Sequence, residues 1–136
     1  DVVLLGRRTY ETFAAYWPTA SEDIAPEVNT VPKVVVSRTL DTAPWGQHDP
    51  AEVESDLGAR LSRIREAGQR VLVWGSLSLI AALAESNELD ELDLFVAPVV
   101  LGSGVPLLPA TVTARLHQLQ SKSWGSVTHL RYGVTR

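Results

Sequence analysis

Three short polar stretches, each directly after an apolar run, carry the residue types that bind phosphate. They are Gly6, Arg7, Arg8 and Thr9, then Ser37, Arg38 and Thr39, and finally Gly75, Ser76, Leu77 and Ser78. Arginine pairs phosphate oxygens through two parallel hydrogen bonds, and the first turn of a helix offers unpaired backbone N–H groups and a positive dipole end. Together the three stretches are therefore equipped for a ligand with more than one phosphate.

The third stretch ends the apolar run 71–74 and opens into a helical pattern from Leu79 onward. Gly75 can adopt a backbone conformation that other residues resist, and it has no side chain to block a ligand. Ser76 and Ser78 can cap the helix that follows. Strand, Gly-Ser and helix form a candidate anion site, and the alternative is a purely structural helix start with nothing bound.

The first two stretches follow strand-like runs at residues 2–5 and 33–36. After the first, Tyr10, Phe13 and Trp17 fall at the spacing of one helical face, with Thr9 as the expected cap. Proline-rich residues 19–32 and 40–50 predict loops, and residues 51–55 predict a short strand. A further helix is expected between a cap at Asp56 and a stop at Gly68.

The last third of the chain predicts strands rather than helices. Residues 91–96 form one strand, and residues 114–124 and 126–135 form an antiparallel hairpin around Gly125, with a bulge near Gln118. Alternation of strands and helices before that point predicts an α/β fold with a doubly wound, mostly parallel sheet. The hairpin would form its antiparallel edge.

Parallel strands place their carboxyl ends along one edge, where open α/β sheets bind ligands, so the three polar stretches should meet there. A pyrophosphate fits the helix starts at Thr9 and at Gly75, and an additional monoester such as a ribose 2′-phosphate fits Arg7 or Arg38. In the alternative interpretation the arginines pair with carboxylates such as Glu11, and the hydroxyls are only caps.

Composition narrows the class of protein. The 136 residues, 45% of them hydrophobic, predict one domain over 1–136, and a net charge of -4 argues against nucleic-acid and membrane partners. The absence of cysteine excludes disulfides and thiolate chemistry, and the three histidines lack metal-ligand spacing, so no metal is expected. A cytoplasmic location is the default. The chain opens on a strand without Met, as a fragment with a missing upstream part would.

Three segments together resemble a known family. Residues 3–11 (VLLGRRTYE) and 36–40 (VSRTL) are similar to the cofactor side of the dihydrofolate reductase fold. Residues 89–108 (LDELDLFVAPVVLGSGVPLL) resemble bacterial reductases related to the C-terminal domain of the riboflavin-biosynthesis deaminase-reductase. The resemblance covers essentially the whole chain.

That resemblance implies NADPH as cofactor. Gly6, Arg7, Arg8 and Thr9 would hold its phosphates, Ser37, Arg38 and Thr39 the adenosine 2′-phosphate region, and Gly75, Ser76, Leu77 and Ser78 the pyrophosphate and nicotinamide ribose. The strand, loop and helix that open the family's fold are not in this chain, so the catalytic residue is unassigned. Trp74 stands where the riboflavin-pathway reductases have Glu, and Trp-Gly-Ser looks more like reductases of unassigned substrate.

The expected function is an NADPH-dependent reductase that passes hydride to a small heterocyclic, pteridine-like or pyrimidine-like substrate. Dihydrofolate reductase and the riboflavin-pathway 5-amino-6-(5-phosphoribosylamino)uracil reductase are the examples that the resemblance offers. The alternative is a non-catalytic nucleotide-binding or dimerisation module on the same fold. A homodimer is expected in either case, because the apolar residues 96–108 and the hairpin offer a subunit interface.

Overall fold

The structure, a computed structural model, describes residues 1–135. The chain divides into two compact units, Asp1–Leu79 and Ile80–Arg136. The single domain expected over residues 1–136 remains a prediction. Within the described part of the chain, no helix is both long and apolar enough to cross a membrane.

The N-terminal unit is built on a five-stranded sheet in the order β3-β4-β2-β1-β5. Neighbouring strands are parallel except for the antiparallel pair β3 and β4. The predicted mostly parallel α/β sheet is therefore confirmed. The strands are β1 (Val2–Gly6), β2 (Lys33–Val36), β3 (Ala43–Trp45), β4 (His48–Glu54) and β5 (Val71–Val73).

Helices connect these strands. A single 3-10 turn, Trp17–Thr19, follows the first helix, and the last helix begins in the N-terminal unit and continues into the second unit. The helices are α1 (Arg7–Tyr16), α2 (Ala25–Thr30), α3 (Leu57–Glu66) and α4 (Leu77–Glu85).

Strand β1 is deeply buried between β2 and β5. Its apolar run is continuous because both faces are covered, and Leu4 and Leu5 are almost completely shielded from solvent. Val35 and Trp45 join Leu5 in one core cluster. The indole N–H of Trp45 donates to the buried Asn29 Oδ1 at 2.7 Å. The one polar atom of the indole ring thus has a hydrogen-bond partner inside the core.

Two predicted loops and one predicted cap are wrong. Residues 19–32 contain α2, because Pro26 lies in its first turn, where proline needs no N–H partner. Residues 40–50 contain β3 and the start of β4. The chain turns between these two strands at Gly46, whose φ is +57°, and Trp45 is buried. Helix α1 begins at Arg7, so Thr9 lies inside its first turn and does not cap it.

The predicted boundaries of α3 are confirmed. Asp56 Oδ1 accepts a hydrogen bond from Ala59 N at 3.0 Å, as an N-cap does. At the other end Gly68 has a φ of +66°, the left-handed conformation that ends many helices. The strand expected over residues 51–55 corresponds to the second half of β4.

The C-terminal unit contains a separate antiparallel sheet. Its strands are β6 (Glu91–Val96), β7 (Arg115–Trp124) and β8 (Val127–Thr135), in the order β6-β8-β7. The hairpin and its bulge between Gln118 and Gln120 are confirmed. The hairpin pairs with β6 through β8 and not with a strand of the parallel sheet. The prediction that it forms the antiparallel edge of that sheet is therefore wrong.

Candidate functional site

Three strand ends lie side by side at one edge of the N-terminal sheet. Strand β1 lies between β2 and β5, and all three run in the same direction. In the register Gly6 is opposite Val36, and Leu4 is opposite Val73. The polar stretches that follow these residues therefore begin at the same level of the sheet, as the parallel pattern predicted.

Arg7 is the side chain that joins two of the stretches. Its Nη1 donates to Thr39 Oγ1 at 2.7 Å, and its Nε donates to Glu11 Oε1 at 2.8 Å. The pairing with a carboxylate that the alternative interpretation expected is present, and the guanidinium also contacts the second stretch. These two contacts hold the guanidinium group in a fixed orientation above the edge.

Ser37 shapes the second stretch from within. Its side chain is nearly buried, and its Oγ accepts hydrogen bonds from Thr39 N and Leu40 N, both at 3.2 Å. A serine hydroxyl that accepts from the backbone two and three residues ahead folds the chain into a tight turn. Ser37 therefore positions Thr39 for Arg7.

The third stretch approaches the first one very closely. A Cβ added to Gly6 would lie 2.1 Å from Ser76 Oγ, so only glycine leaves room for this contact. A Cβ added to Gly75 would lie 3.3 Å from Thr9 Cγ2. Gly75 also has a φ of +66°, in the left-handed region that glycine adopts without strain.

Ser76 carries backbone strain that the sequence did not signal. Its φ of +56° lies in the left-handed region, which serine adopts rarely. Ser76 immediately precedes α4, whereas Ser78 lies inside the first turn of that helix. Strained residues of this kind cluster at ligand sites, and the residue lies directly against Gly6.

The start of α1 is open to an anion. Its N-cap, Gly6, offers no side-chain hydrogen bond, and no acidic residue occupies the first turn. The first N–H groups of a helix have no partner within the helix, and its dipole makes this end positive. Helix α4 also has no acidic residue in its first turn. Both helix starts therefore favour negative charge.

Arg8 and Arg38 bring two further positive charges to the edge. Both residues are exposed, and neither guanidinium group makes a hydrogen bond or an ion pair with another residue in the range 1–135. Leu77 and Ser78 are exposed at the start of α4. The three stretches, which contain all the predicted site residues, thus lie together at this edge. The side chain of Ser37 is turned into the protein.

Trp74 is half-buried. Its ring packs against Phe13, with 5.0 Å between ring centres, and against Trp17 at 5.9 Å. It also packs against the main core cluster. The side chain just before Gly75 is therefore part of an aromatic cluster behind the edge.

Two carboxylates near the edge are already paired with arginines. Glu54, on the strand next to β2, has a lowered pKa because it accepts a hydrogen bond from Asp56 N–H and pairs with Arg63. It therefore stays ionised at neutral pH and is no proton donor. Glu11 is already paired with Arg7.

A cavity of a different kind lies in the C-terminal unit. It measures about 360 Å³ and is lined by residues of the C-terminal unit, mainly apolar ones such as Leu92, Leu108 and Val134. Arg115 is the charged residue in its lining. A site for several phosphates needs convergent N–H donors and cations, which the strand-end edge has and this cavity lacks.

The fold is that of an α/β domain with a mostly parallel sheet. The model of the RibD C-terminal domain family matches residues 1–130. The chain belongs to that family, and the resemblance seen in the sequence is confirmed.

Two curated relatives come from Bacillus subtilis (strain 168), and both are uncharacterized proteins. YwjB is 29% identical over 136 residues, which covers 97% of this chain and 72% of the relative. YyaP is 27% identical over 114 residues, covering 79% of this chain and 58% of the relative. The names of these two relatives state no activity.

Solved structures share the fold at low sequence identity. A protein provisionally attributed to riboflavin biosynthesis in Shewanella sp. PV-4 aligns over 100% of this chain and 75% of its own, with 21% identity and a TM-score of 0.79. A pyrimidine reductase-like protein of Corynebacterium diphtheriae aligns over 100% and 76%, with 15% identity and a TM-score of 0.71. RibD of Acinetobacter baumannii aligns over 98% and 47%, with 17% identity and a TM-score of 0.70.

Proposed function

We propose that this protein is an NADPH-dependent reductase that transfers hydride to a small heterocyclic substrate, and that it works in the cytoplasm. The observation that carries the proposal is the pairing of Arg7 with Thr39 beside the uncapped start of α1. Membership of the RibD C-terminal domain family supports a reductase-like role. The nicotinamide would supply the hydride, and the protein would supply binding and orientation.

The two helix starts would hold the pyrophosphate. Backbone N–H groups at the start of α1 and α4 favour negative charge, and Gly6 and Gly75 let the backbone come close to the ligand. Ser76, next to Gly6, adds a hydroxyl at the same place. This part of the site would bind NADPH and NADH equally well.

The arginines would distinguish the two cofactors. Only NADPH carries a 2′-phosphate, and a phosphate monoester pairs well with a guanidinium group held in one orientation. Glu11 and Thr39 already fix Arg7, so little side-chain freedom is lost when the phosphate binds. Arg38, with no protein partner within residues 1–135, would turn toward the same phosphate.

The residue type at position 74 affects which substrate we expect. Structural relatives include a RibD and a pyrimidine reductase-like protein, which favours a pyrimidine-like heterocycle. The carboxylate of the riboflavin-pathway reductases is replaced by an indole that packs on Phe13 and Trp17. We therefore expect a heterocycle that does not require a carboxylate at this position, and a substrate other than the ribosylaminopyrimidine of riboflavin synthesis.

A non-catalytic nucleotide-binding module is the second candidate. It is favoured by one observation: Glu11 and Glu54, two carboxylates near the edge, are both paired with arginines. Hydride transfer to a ring nitrogen compound also needs a proton, and neither paired carboxylate is suited to donate it. Oxidation of NADPH in the presence of pteridine or pyrimidine acceptors separates the two candidates.

The first test is a fluorescence titration of the full chain with NADPH and with NADH. Trp74 and Trp17 lie next to the proposed site, so cofactor binding should quench their emission. We expect NADPH to bind at least about tenfold more tightly, roughly 1.4 kcal/mol. Arg7→Ala and Arg38→Ala should each weaken NADPH binding and leave NADH binding nearly unchanged.

Arg70→Ala is the matched control. Arg70 is an exposed arginine paired with one carboxylate, Asp1, beside the start of β1 and so at the opposite end of the same strands. Its removal should change neither affinity. If a folded sample binds neither dinucleotide, or if all three variants behave alike, the reductase proposal is wrong.

A further inference from the structure

The cavity of the C-terminal unit lies among the end of α4, the starts of β6 and β7, the end of β8 and the loop before β7. Its volume of about 360 Å³ falls within the range of small-molecule sites, roughly 300–1,000 Å³. All of its lining residues belong to the C-terminal unit, and the proposed reductase site uses none of them. The cavity is therefore a separate candidate for a ligand.

Hydrogen bonds hold the walls of this cavity. Thr111 Oγ1 donates to Glu85 Oε1 at 3.3 Å, which ties the loop before β7 to the end of α4. Asn87 follows that helix with a φ of +58°, the left-handed conformation that ends many helices. On the sheet side, Val134 N donates to Asp90 O at 2.8 Å. The walls are thus fixed by the fold of the unit itself.

Aliphatic side chains form most of the cavity lining. Leu92 is buried, and Leu108 and Val112 are half-buried. Such a lining favours a ligand with a hydrocarbon body, since each contact removes apolar surface from water. If a non-hydrogen atom takes roughly 30 Å³, as a water molecule does in the liquid, the cavity has room for about twelve. A molecule of that size is a small organic compound and not a helix or strand of a partner.

Arg115 brings a positive charge to the cavity wall. It makes no hydrogen bond or ion pair with another residue between Asp1 and Thr135, and it is exposed, so the cavity reaches solvent where Arg115 lies. Thr135 lies opposite Arg115 in the register, and Thr113, two residues before it, also lines the cavity. A guanidinium group binds a carboxylate through two parallel hydrogen bonds. An anion placed there keeps contact with water and avoids the cost of full burial.

We propose that this cavity binds an apolar monocarboxylate, with its hydrocarbon body against the aliphatic wall and its carboxylate on Arg115. A phosphate ester would bring a second negative charge, for which the cavity lining offers no second cation. A neutral hydrocarbon would leave the guanidinium unused. One carboxylate and an apolar body match the charge and the volume together.

The test is a calorimetric titration of the full chain with octanoate and with its neutral analogue octanamide. Octanoate should bind at least about tenfold more tightly, because only octanoate can form the ion pair with Arg115. Hexanoate should bind roughly fifteenfold more weakly than octanoate, about fourfold for each methylene group lost. Octanoate should also slow amide exchange within residues 84–92 and 108–116. No dinucleotide is present, so a failure here would leave the reductase proposal standing.

Arg115→Gln tests the carboxylate contact. It should abolish the preference for octanoate and leave the affinity for octanamide nearly unchanged. Lys122→Gln is the matched control, since it removes a positive charge from the same strand at a residue outside the cavity lining. That control should keep the full preference.

Ala84→Leu tests the hydrocarbon contact. Ala84 is a half-buried residue of α4 in the cavity wall, and leucine is a good helix former that would fill part of the space. Both probes should bind at least about tenfold more weakly. Ala82→Leu, an exposed position on the same helix outside the cavity lining, should change neither affinity.

Three results would overturn the proposal. The first is no octanoate binding below about 1 mM. The second is equal affinity for octanoate and octanamide in the unmodified chain. The third is octanoate binding that Arg115→Gln and Ala84→Leu both leave unchanged, which would place the probe on apolar surface elsewhere, such as the exposed Val100.

Discussion

Strand β1 buries four of its five residues, whereas none of the ten residues of β7 is buried. The N-terminal unit buries β1 and β2 and places its three polar stretches at one edge of the sheet. The C-terminal unit leaves aromatic and aliphatic side chains in solvent. The contrast indicates a division of roles, because a rigid closed core suits a ligand site and an open apolar surface suits a protein partner.

The largest effect expected from this contrast is on stability. Leu4 on β1 is 0% exposed, and Leu4→Ala should lower the free energy of unfolding by about 3 kcal/mol, since it removes buried methyl groups and leaves a cavity. Leu119→Ala in β7 should cost less than about 1 kcal/mol, because that side chain is half exposed. Urea denaturation measures both, and equal losses would contradict the contrast.

The close contact at Gly6 should give the next largest effect. Gly6→Ala would place a methyl group against Ser76, so we expect a loss of about 2 kcal/mol and weaker dinucleotide binding. Gly104→Ala in the C-terminal unit should be nearly neutral, because nothing lies within 4 Å of the added carbon. Thermal denaturation of both variants provides the comparison.

Ser76→Gly in the Gly6→Ala background makes this prediction sharper. It removes the clashing atoms and relieves the positive φ of residue 76, so it should restore most of the lost stability. It should not restore dinucleotide affinity fully, since the serine hydroxyl is gone. If the double variant is as unstable as Gly6→Ala alone, the contact between these two residues is not the cause.

The smallest effect concerns the pH dependence of the N-terminal core. Burial, with a smaller contribution from Glu11, raises the pKa of Tyr10 above its ordinary value of 10.0. As pH rises through 10, the unfolded chain loses this proton first, so the folded state binds more protons and stability falls.

Tyr10→Phe removes this titration together with the hydrogen bond from Tyr10 to Pro44 O. The wild type should be more stable by about 1 kcal/mol at pH 8, where the contribution is fully present, and the gap should narrow above pH 10. Denaturation curves at pH 8 and 10.5 measure it. A gap that is constant or widens would show that burial of this phenol is not what shifts its pKa.

The sequence predicted the convergence of the three polar stretches better than it predicted the elements around them. Continuous apolar runs identified β1, β2 and β5, and the parallel-edge rule then brought Arg7 and Thr39 together, although they lie 32 residues apart. Helix α2 and strand β3 were missed because prolines normally interrupt both structures, and here each proline occupies a position that needs no N–H donor.

Other features depend on contacts that no local pattern encodes. Strand β6 could pair with either strand of the hairpin, and both pairings satisfy the same alternation of side chains. The fit of Gly6 against Ser76 depends on how two strands meet, and serine is an unusual residue at positive φ. Neither could be predicted from residue types and spacing alone.

The most direct test of the central claim, that the strand-end edge binds NADPH, is amide exchange of the full chain with and without saturating NADPH. We expect slower exchange at Gly6, Arg7, Thr39 and Gly75, and no change around the cavity of the C-terminal unit. Slower exchange confined to residues 84–92 and 108–116 would place the ligand in that cavity. That result would contradict the account.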